Sequence, residues 1–195
     1  MSGRRVGFGL FTLALLALLL GLGVWQLQRA RWKEGLVASY ARAEKLPPVT
    51  WPTAPLRSVE PLLFRHATGL CLKPVGRRAQ AGENLAGEPG YVHIIDCQTG
   101  AEGPGMSVEV GWSKNPNAKV AWAGGPVSGV IAPDRLTRMR LVAASAPPGL
   151  EPSAPPSVSS IPNNHRSYAV QWFAFAAIAL VIYALAVRKR LGERK

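Results

Sequence analysis

Side chains that carry chemistry are scarce in this sequence. Its 195 residues include three histidines, two cysteines and three methionines, and 11 acidic residues face 23 basic ones. Cys71 and Cys97 form neither a CxxC nor a CxxCH pattern, which argues against a thioredoxin-like pair and against covalent c-type haem. No P-loop, HExxH or GxSxG run occurs, and no GxGxxG follows a strand. His66, His93, Cys71 and Cys97 have the residue types of a zinc set, but their spacing matches no zinc pattern. Met1, Met106 and Met139 are scattered, whereas copper handling wants clustered soft ligands. The few carboxylates do not pair for acid–base work. These absences point away from an enzyme.

The net charge of +12 raises nucleic acid as a partner, and the placement of the charge excludes it. Seven of the 23 basic residues sit in the terminal stretches 1–5 and 188–195, and others flank apolar blocks. No basic stripe is interleaved with aromatics, so the charge reads as topogenic.

What the sequence does have is two long charge-free runs, 6–28 and 167–187. The second, at about 21 residues and about 30 Å as a helix, is long enough to cross a bilayer. The first exceeds the apolar core of a cleaved signal, and Trp25-Gln26-Leu27-Gln28-Arg29 follows it rather than a small-x-small site. It reads as a retained anchor, apolar over 8–27 apart from Thr12 and Gln26. Ala14, Ala17, Gly21 and Gln28 share one face, a small-residue ridge suited to a second helix. The expected organisation is a membrane α+β protein, with two transmembrane helices flanking a small β-rich extracytoplasmic domain. Its segments are a tail (1–5), a first span (6–28), a helical extension and Pro-rich linker (29–61), a β-rich domain (62–145), a Pro/Ser-rich linker (146–164), a second span (165–187) and a basic tail (188–195). Both termini are placed in the cytoplasm and the middle in a periplasm-like space, from the basic residues at the ends.

In the middle, 31–45 has helical spacing at Trp32, Leu36 and Tyr40, stopped by Pro47-Pro48. Stretch 47–61 is Pro-rich and extended, with Trp51 as a docking residue. Short β-capable runs occupy 62–72, 91–97, 107–112, 127–131 and 140–144. Stretch 77–89 reads as a polar, Gly-rich loop and 146–160 as an extended linker. His66 and His93 fall in expected strands as structural residues. One disulfide between Cys71 and Cys97 and two free thiols are both open.

The entrance to the second span is distinctive. Pro162 breaks what precedes it, Asn163 or Asn164 caps the first turn, and His165 begins the helix at the membrane surface. On helical spacing, His165, Tyr168, Ala169, Trp172, Ala176, Ala179 and Tyr183 share a face that can receive a flat cofactor or a second helix. The plain alternative is an aromatic belt with packing alanines. Gln28, Arg29 and Arg31 should lie at the depth of His165 and Arg166. Neutral His165 would ligate a haem iron, Tyr168 and Trp172 would flank the ring, and Arg166 with Arg29 or Arg31 would meet the propionates. Ordinary snorkelling also accounts for the arginines.

The run 23–29 with Trp32-Lys33, the Pro89-Gly90-Tyr91 turn, Gly111-Trp112, and above all the stretch from Pro162-Asn163-Asn164-His165-Arg166-Ser167-Tyr168 to Gln171-Trp172-Phe173 resemble the surfeit locus protein 1 family. The resemblance covers both ends and is thinner in the middle, where the family's Asn-Arg-Gly-Trp type of run stands as Glu109-Val110-Gly111-Trp112. It implies a membrane assembly factor for haem–copper, aa3-type cytochrome c oxidase, not an enzyme, in the cell inner membrane. It implies that haem a is bound transiently, with His165 as ligand and Tyr168, Trp172, Arg166 and Arg29 around it. The implied partners are the oxidase catalytic subunit, haem a synthase and the lipid bilayer. Two rivals stand beside this reading: a structural chaperone of the oxidase core that binds no haem, and a thiol–disulfide protein using Cys71 and Cys97.

Overall fold

A computed structural model of the chain describes residues 2–101, 105–158 and 161–192. Parts of both expected tails, and residues 159 and 160 of the expected linker, lie outside the described residues. Two helices, α1 (Ser2–Ala43) and α2 (His165–Gly192), flank seven strands. The chain divides into two compact units, Met1–Leu36 with Pro162–Lys195, and Val37–Ile161.

In the helical unit both helices are long and apolar enough to cross a bilayer. The part of α1 in this unit, as far as Leu36, is about 50 Å long, well over the hydrocarbon thickness. Large apolar side chains such as Phe11, Val170 and Ile182 are exposed, a surface that suits lipid and not water. Thr12, Leu19, Gly23 and Ala30 are buried on α1, and Ala169 and Ala176 on α2. A Cβ at Gly23 would stand 2.6 Å from the ring of Phe173, so glycine makes the notch that this ring fills. Phe8 stacks on Tyr183 at 5.8 Å between centroids. The expected ridge of Ala14, Ala17, Gly21 and Gln28 is exposed instead. Small residues mark where close approach is possible. The side that faces the partner is decided by which large residue needs the notch, and here that is Phe173.

In the sheet unit β1 (Val49–Thr50), β2 (His66–Cys71), β3 (Lys73–Glu83), β4 (Pro89–Gln98), β5 (Met106–Ser113), β6 (Gly125–Asp134) and β7 (Arg138–Ala143) stand in the order β1-β2-β6-β7-β5-β4-β3. Pairing is antiparallel except for β1 with β2 and β5 with β7. Only Leu72 separates β2, second in this order, from β3, the last. Two contacts show that the sheet curls. Cys71 and Cys97 form a disulfide with their Cα atoms 5.3 Å apart, although β2 and β4 stand four places apart in the order. Four places are roughly 19 Å in a flat sheet. Arg78 on β3 likewise reaches Asp134 on β6 at 2.8 Å across four places.

The pairing of the two cysteines with each other removes them from any zinc set. Expected loop 77–89 is mostly β3, which pairs with β4 as far as Glu83 and Pro89. Its lack of large apolar residues reflects an edge position, not a loop. The stretch after β7 is pinned and not free. Trp112 and Glu151 exchange backbone hydrogen bonds of 2.7 and 2.9 Å, and Ala154 N–H donates to Glu83 at 2.9 Å. Trp51 docks on its own domain, buried, with its indole N–H on the Gly105 carbonyl at 3.1 Å.

Apolar packing centres on Val92, Ile94 and Trp112, with Val108, Ile131 and Leu141 fully buried. Charges cross the sheet beside them. Arg78 binds Asp96 at 2.9 Å and Asp134 at 2.8 Å, and Arg140 binds Glu109 at 2.6 Å and Asp134 at 3.4 Å. Ser107 Oγ donates to Asp96 at 2.6 Å. Each of β3 to β7 contributes to this network. His93 is buried and donates from Nε2 to Ser113 Oγ at 2.8 Å, since the Ser113 hydroxyl proton goes to the Asn115 carbonyl. Burial, then the charge of Arg77, pushes His93 below the usual histidine range, which keeps it neutral. His66 lies exposed on β2.

Burial alone would raise Asp134, but the backbone N–H groups of Thr137 and Leu136 and the Arg78 guanidinium outweigh it and hold the carboxyl at about 2. A carboxyl held below its unfolded value adds stability above that value and loses it on acidification. The domain should therefore lose about 2 kcal/mol between roughly pH 4 and pH 2 through this group. Acid titration of thermal unfolding should show that loss, and Asp134→Asn should be less stable at pH 7 and lack this part of the acid slope. Replacing both Cys71 and Cys97 by serine should lower stability by about 3 kcal/mol, from the loop-closure entropy of the bridge. The midpoint of denaturant unfolding, with and without reductant, measures it.

Candidate functional site

The start of α2 meets α1 within the helical unit. Pro162 cannot continue a helix backwards, and Tyr168 N–H donates to the Asn164 carbonyl at 3.2 Å to close the first turn. Asn163 Oδ1 is buried with no partner among the described residues. Three contacts tie this corner to α1. Lys33 Nζ donates to the Pro162 carbonyl. His165 Nδ1 lies 2.8 Å from Gln26 Oε1. Arg166 grips Glu34 as a fork, Nε to Oε1 at 2.8 Å and Nη2 to Oε2 at 3.0 Å.

The contact to Gln26 decides the chemistry of the histidine. An amide oxygen only accepts, so Nδ1–H donates and the neutral ring keeps its lone pair on Nε2. Nε2 has no hydrogen bond among the described residues. A ring held by one nitrogen and open at the other is the usual state of a metal-ligating histidine. Among the described residues no group of three His, Cys, Asp or Glu side chains that could hold a metal ion comes together.

The other expected site residues fall as follows. Tyr168 is half exposed at the edge of the packed face of α2. Trp172 is half-buried and meets Phe175 edge-on at 6.0 Å. Arg29 stacks on Trp32 with its guanidinium carbon 4.0 Å from the ring centre and makes no hydrogen bond or ion pair among the described residues. Arg166 is engaged by Glu34. The structure thus joins His165 and Arg166 to α1, while Tyr168, Trp172 and Arg29 make no hydrogen bond or ion pair to them.

Gln26 and Glu34 were not among the expected site residues. Each carries a signal in the chain. Gln26 is one of two polar residues in the apolar run 8–27, and Glu34 is the first acidic residue of the sequence. Gln28, whose depth matched, is exposed.

A family profile described as the SURF1 family matches residues 13–177, which include most of α1, the sheet, this corner and the first part of α2. No curated protein matches the chain.

Charge reversal tests the fork. Glu34→Arg should lower the unfolding midpoint of the detergent-solubilised chain, and adding Arg166→Glu should recover most of it. An equal loss in the single and double variants would show that the pair is incidental.

Proposed function

The chain belongs to the SURF1 family, a family of cytochrome c oxidase assembly factors, and from that premise we propose that it holds haem a at the membrane surface and passes it to the oxidase catalytic subunit. The observation that carries this reading is the orientation of His165, with Nδ1–H on Gln26 and the Nε2 lone pair open. Haem a, as cargo, brings an iron with an axial position, a flat apolar ring and two carboxylates. His165 Nε2 suits the iron, and Trp172 and Tyr168 offer aromatic surface to the ring. The N–H edges of Arg29 suit a carboxylate. Arg166 meets one only by giving up Glu34. A single axial histidine gives the modest hold that a carrier needs for release.

In this reading the chain lies in the cell inner membrane with both termini cytoplasmic and the sheet domain periplasmic. Arg188, Lys189 and Arg190 close the second apolar run in the manner of a cytoplasmic stop. The disulfide suits an oxidising compartment. Haem a synthase is the matching source of the cargo.

The pairing of Arg166 with Glu34 favours a second reading, a structural assembly factor that stabilises the oxidase core without haem. A thiol–disulfide role is disfavoured, because both bridged cysteines are buried and offer no thiolate.

An absorption spectrum of the protein purified in mild detergent from cells making haem a, beside His165→Ala, separates the two. The carrier reading expects a haem a spectrum in the parent that is lost or shifted in the variant. Absence of haem from both, with the oxidase subunit still co-purifying, would establish the structural role instead.

A further inference from the structure

The mouth of the helical unit contains a side chain that a ligand list would pass over. Gln26 lies inside the charge-free run of α1, where a polar group is costly unless it is used. Its Oε1 is 2.8 Å from His165 Nδ1, 139 residues further along the chain. We propose that Gln26 is the positioning residue of this site: its carbonyl oxygen takes the Nδ1 proton of His165, fixes the tautomer and ring orientation, and so presents Nε2 as the ligand atom. This rests on the reading of His165 as an axial ligand.

The chemistry favours an amide at this place. An imidazole has two neutral tautomers, and only the one protonated at Nδ1 offers a lone pair at Nε2. A hydrogen-bond donor facing Nδ1 would select the opposite tautomer and put a proton on the ligand atom. A carboxylate would select the right one at the expense of a charge inside a membrane helix. A carbonyl oxygen selects it without charge and makes the ring a better donor to metal. Gln26 acts only through His165; it would not touch the iron.

The test uses the full chain in detergent with ¹⁵N-labelled histidine and begins without haem. Three histidines give a simple spectrum, and His165→Ala identifies the third ring. The parent should show His165 protonated at Nδ1. Gln26→Met, similar in size but without an acceptor, should lose that preference, and Gln26→Glu should keep it. The His66 and His93 signals report whether each variant is folded. Titration with ferric haem should then show binding 10- to 100-fold weaker in Gln26→Met, in the usual range for a lost outer partner, and recovery in Gln26→Glu.

A parent ring protonated at Nε2 overturns the proposal, whatever the variants do. Parent-like haem affinity in folded Gln26→Met, with binding lost in His165→Ala, also overturns it. Unchanged haem binding in His165→Ala would instead defeat the ligand reading, and the haem-free spectrum would still decide whether Gln26 sets the ring.

Discussion

The sheet domain depends on a charged contact between strands that a flat sheet would hold far apart. Arg78 on β3 binds Asp134 on β6, four places away in the order, and β2, second in that order, runs almost directly into β3, the last. The disulfide sits at this junction. Closure gives the network its form: two arginines serve three carboxylates drawn from different strands. A buried ion pair of this kind adds little stability over a well-packed apolar equivalent, because desolvation offsets most of the attraction. It is nevertheless intolerant of losing one member. We read it as a device for register, since a slip of one residue would turn Arg78 or Glu109 to the opposite face.

That network was not legible in the sequence. Asp96, Glu109 and Asp134 are far apart along the chain, and their meeting is produced by topology alone. The same limit hid β3. Its residues 76–83, Gly-Arg-Arg-Ala-Gln-Ala-Gly-Glu, lack the alternating apolar pattern that marks a half-buried strand. An edge strand has little to bury on its outer side, so the signal is absent where the structure is regular. The five runs that were recognised carry β-branched or aromatic residues whose burial the fold requires, though run 62–72 is a strand only over His66–Cys71, because Leu62 closes a short 3-10 turn before it. Glu109, where the resemblance led one to look for a different residue, is buried and paired to Arg140, so this departure is satisfied inside the domain.

The helices were legible because their signal is local. A charge-free run of helical length is readable residue by residue, although α2 continues past the three basic residues to Gly192. The phase of α1 was not. Several faces of a membrane helix carry Ala and Gly, and the choice among them depends on Phe173, a residue of the other helix. His165 stood out from its position at the start of α2. Its partner did not, because the depth argument selected Gln28, whereas the rotation of α1 brings Gln26 to the ring.

This difference of two residues decides which side chain of α1 meets His165. At the sequence level the arginines, the aromatics and the histidine were equal members of a haem-shaped set. In the structure they are unequal. Arg166 is engaged by Glu34, Arg29 lies on the face of Trp32, and the Tyr168 side chain makes no hydrogen bond among the described residues. Only His165 is fixed at one nitrogen and open at the other. A carrier must bind its cargo and then release it. In the proposed carrier reading, one oriented ligand with Arg166 engaged elsewhere would satisfy both demands, because few bonds would break together on handover. A tighter set, with every cation free to bind a carboxylate, would make a resident cofactor site. In the carrier reading the engagement of Arg166 by Glu34 would limit how strongly haem is held.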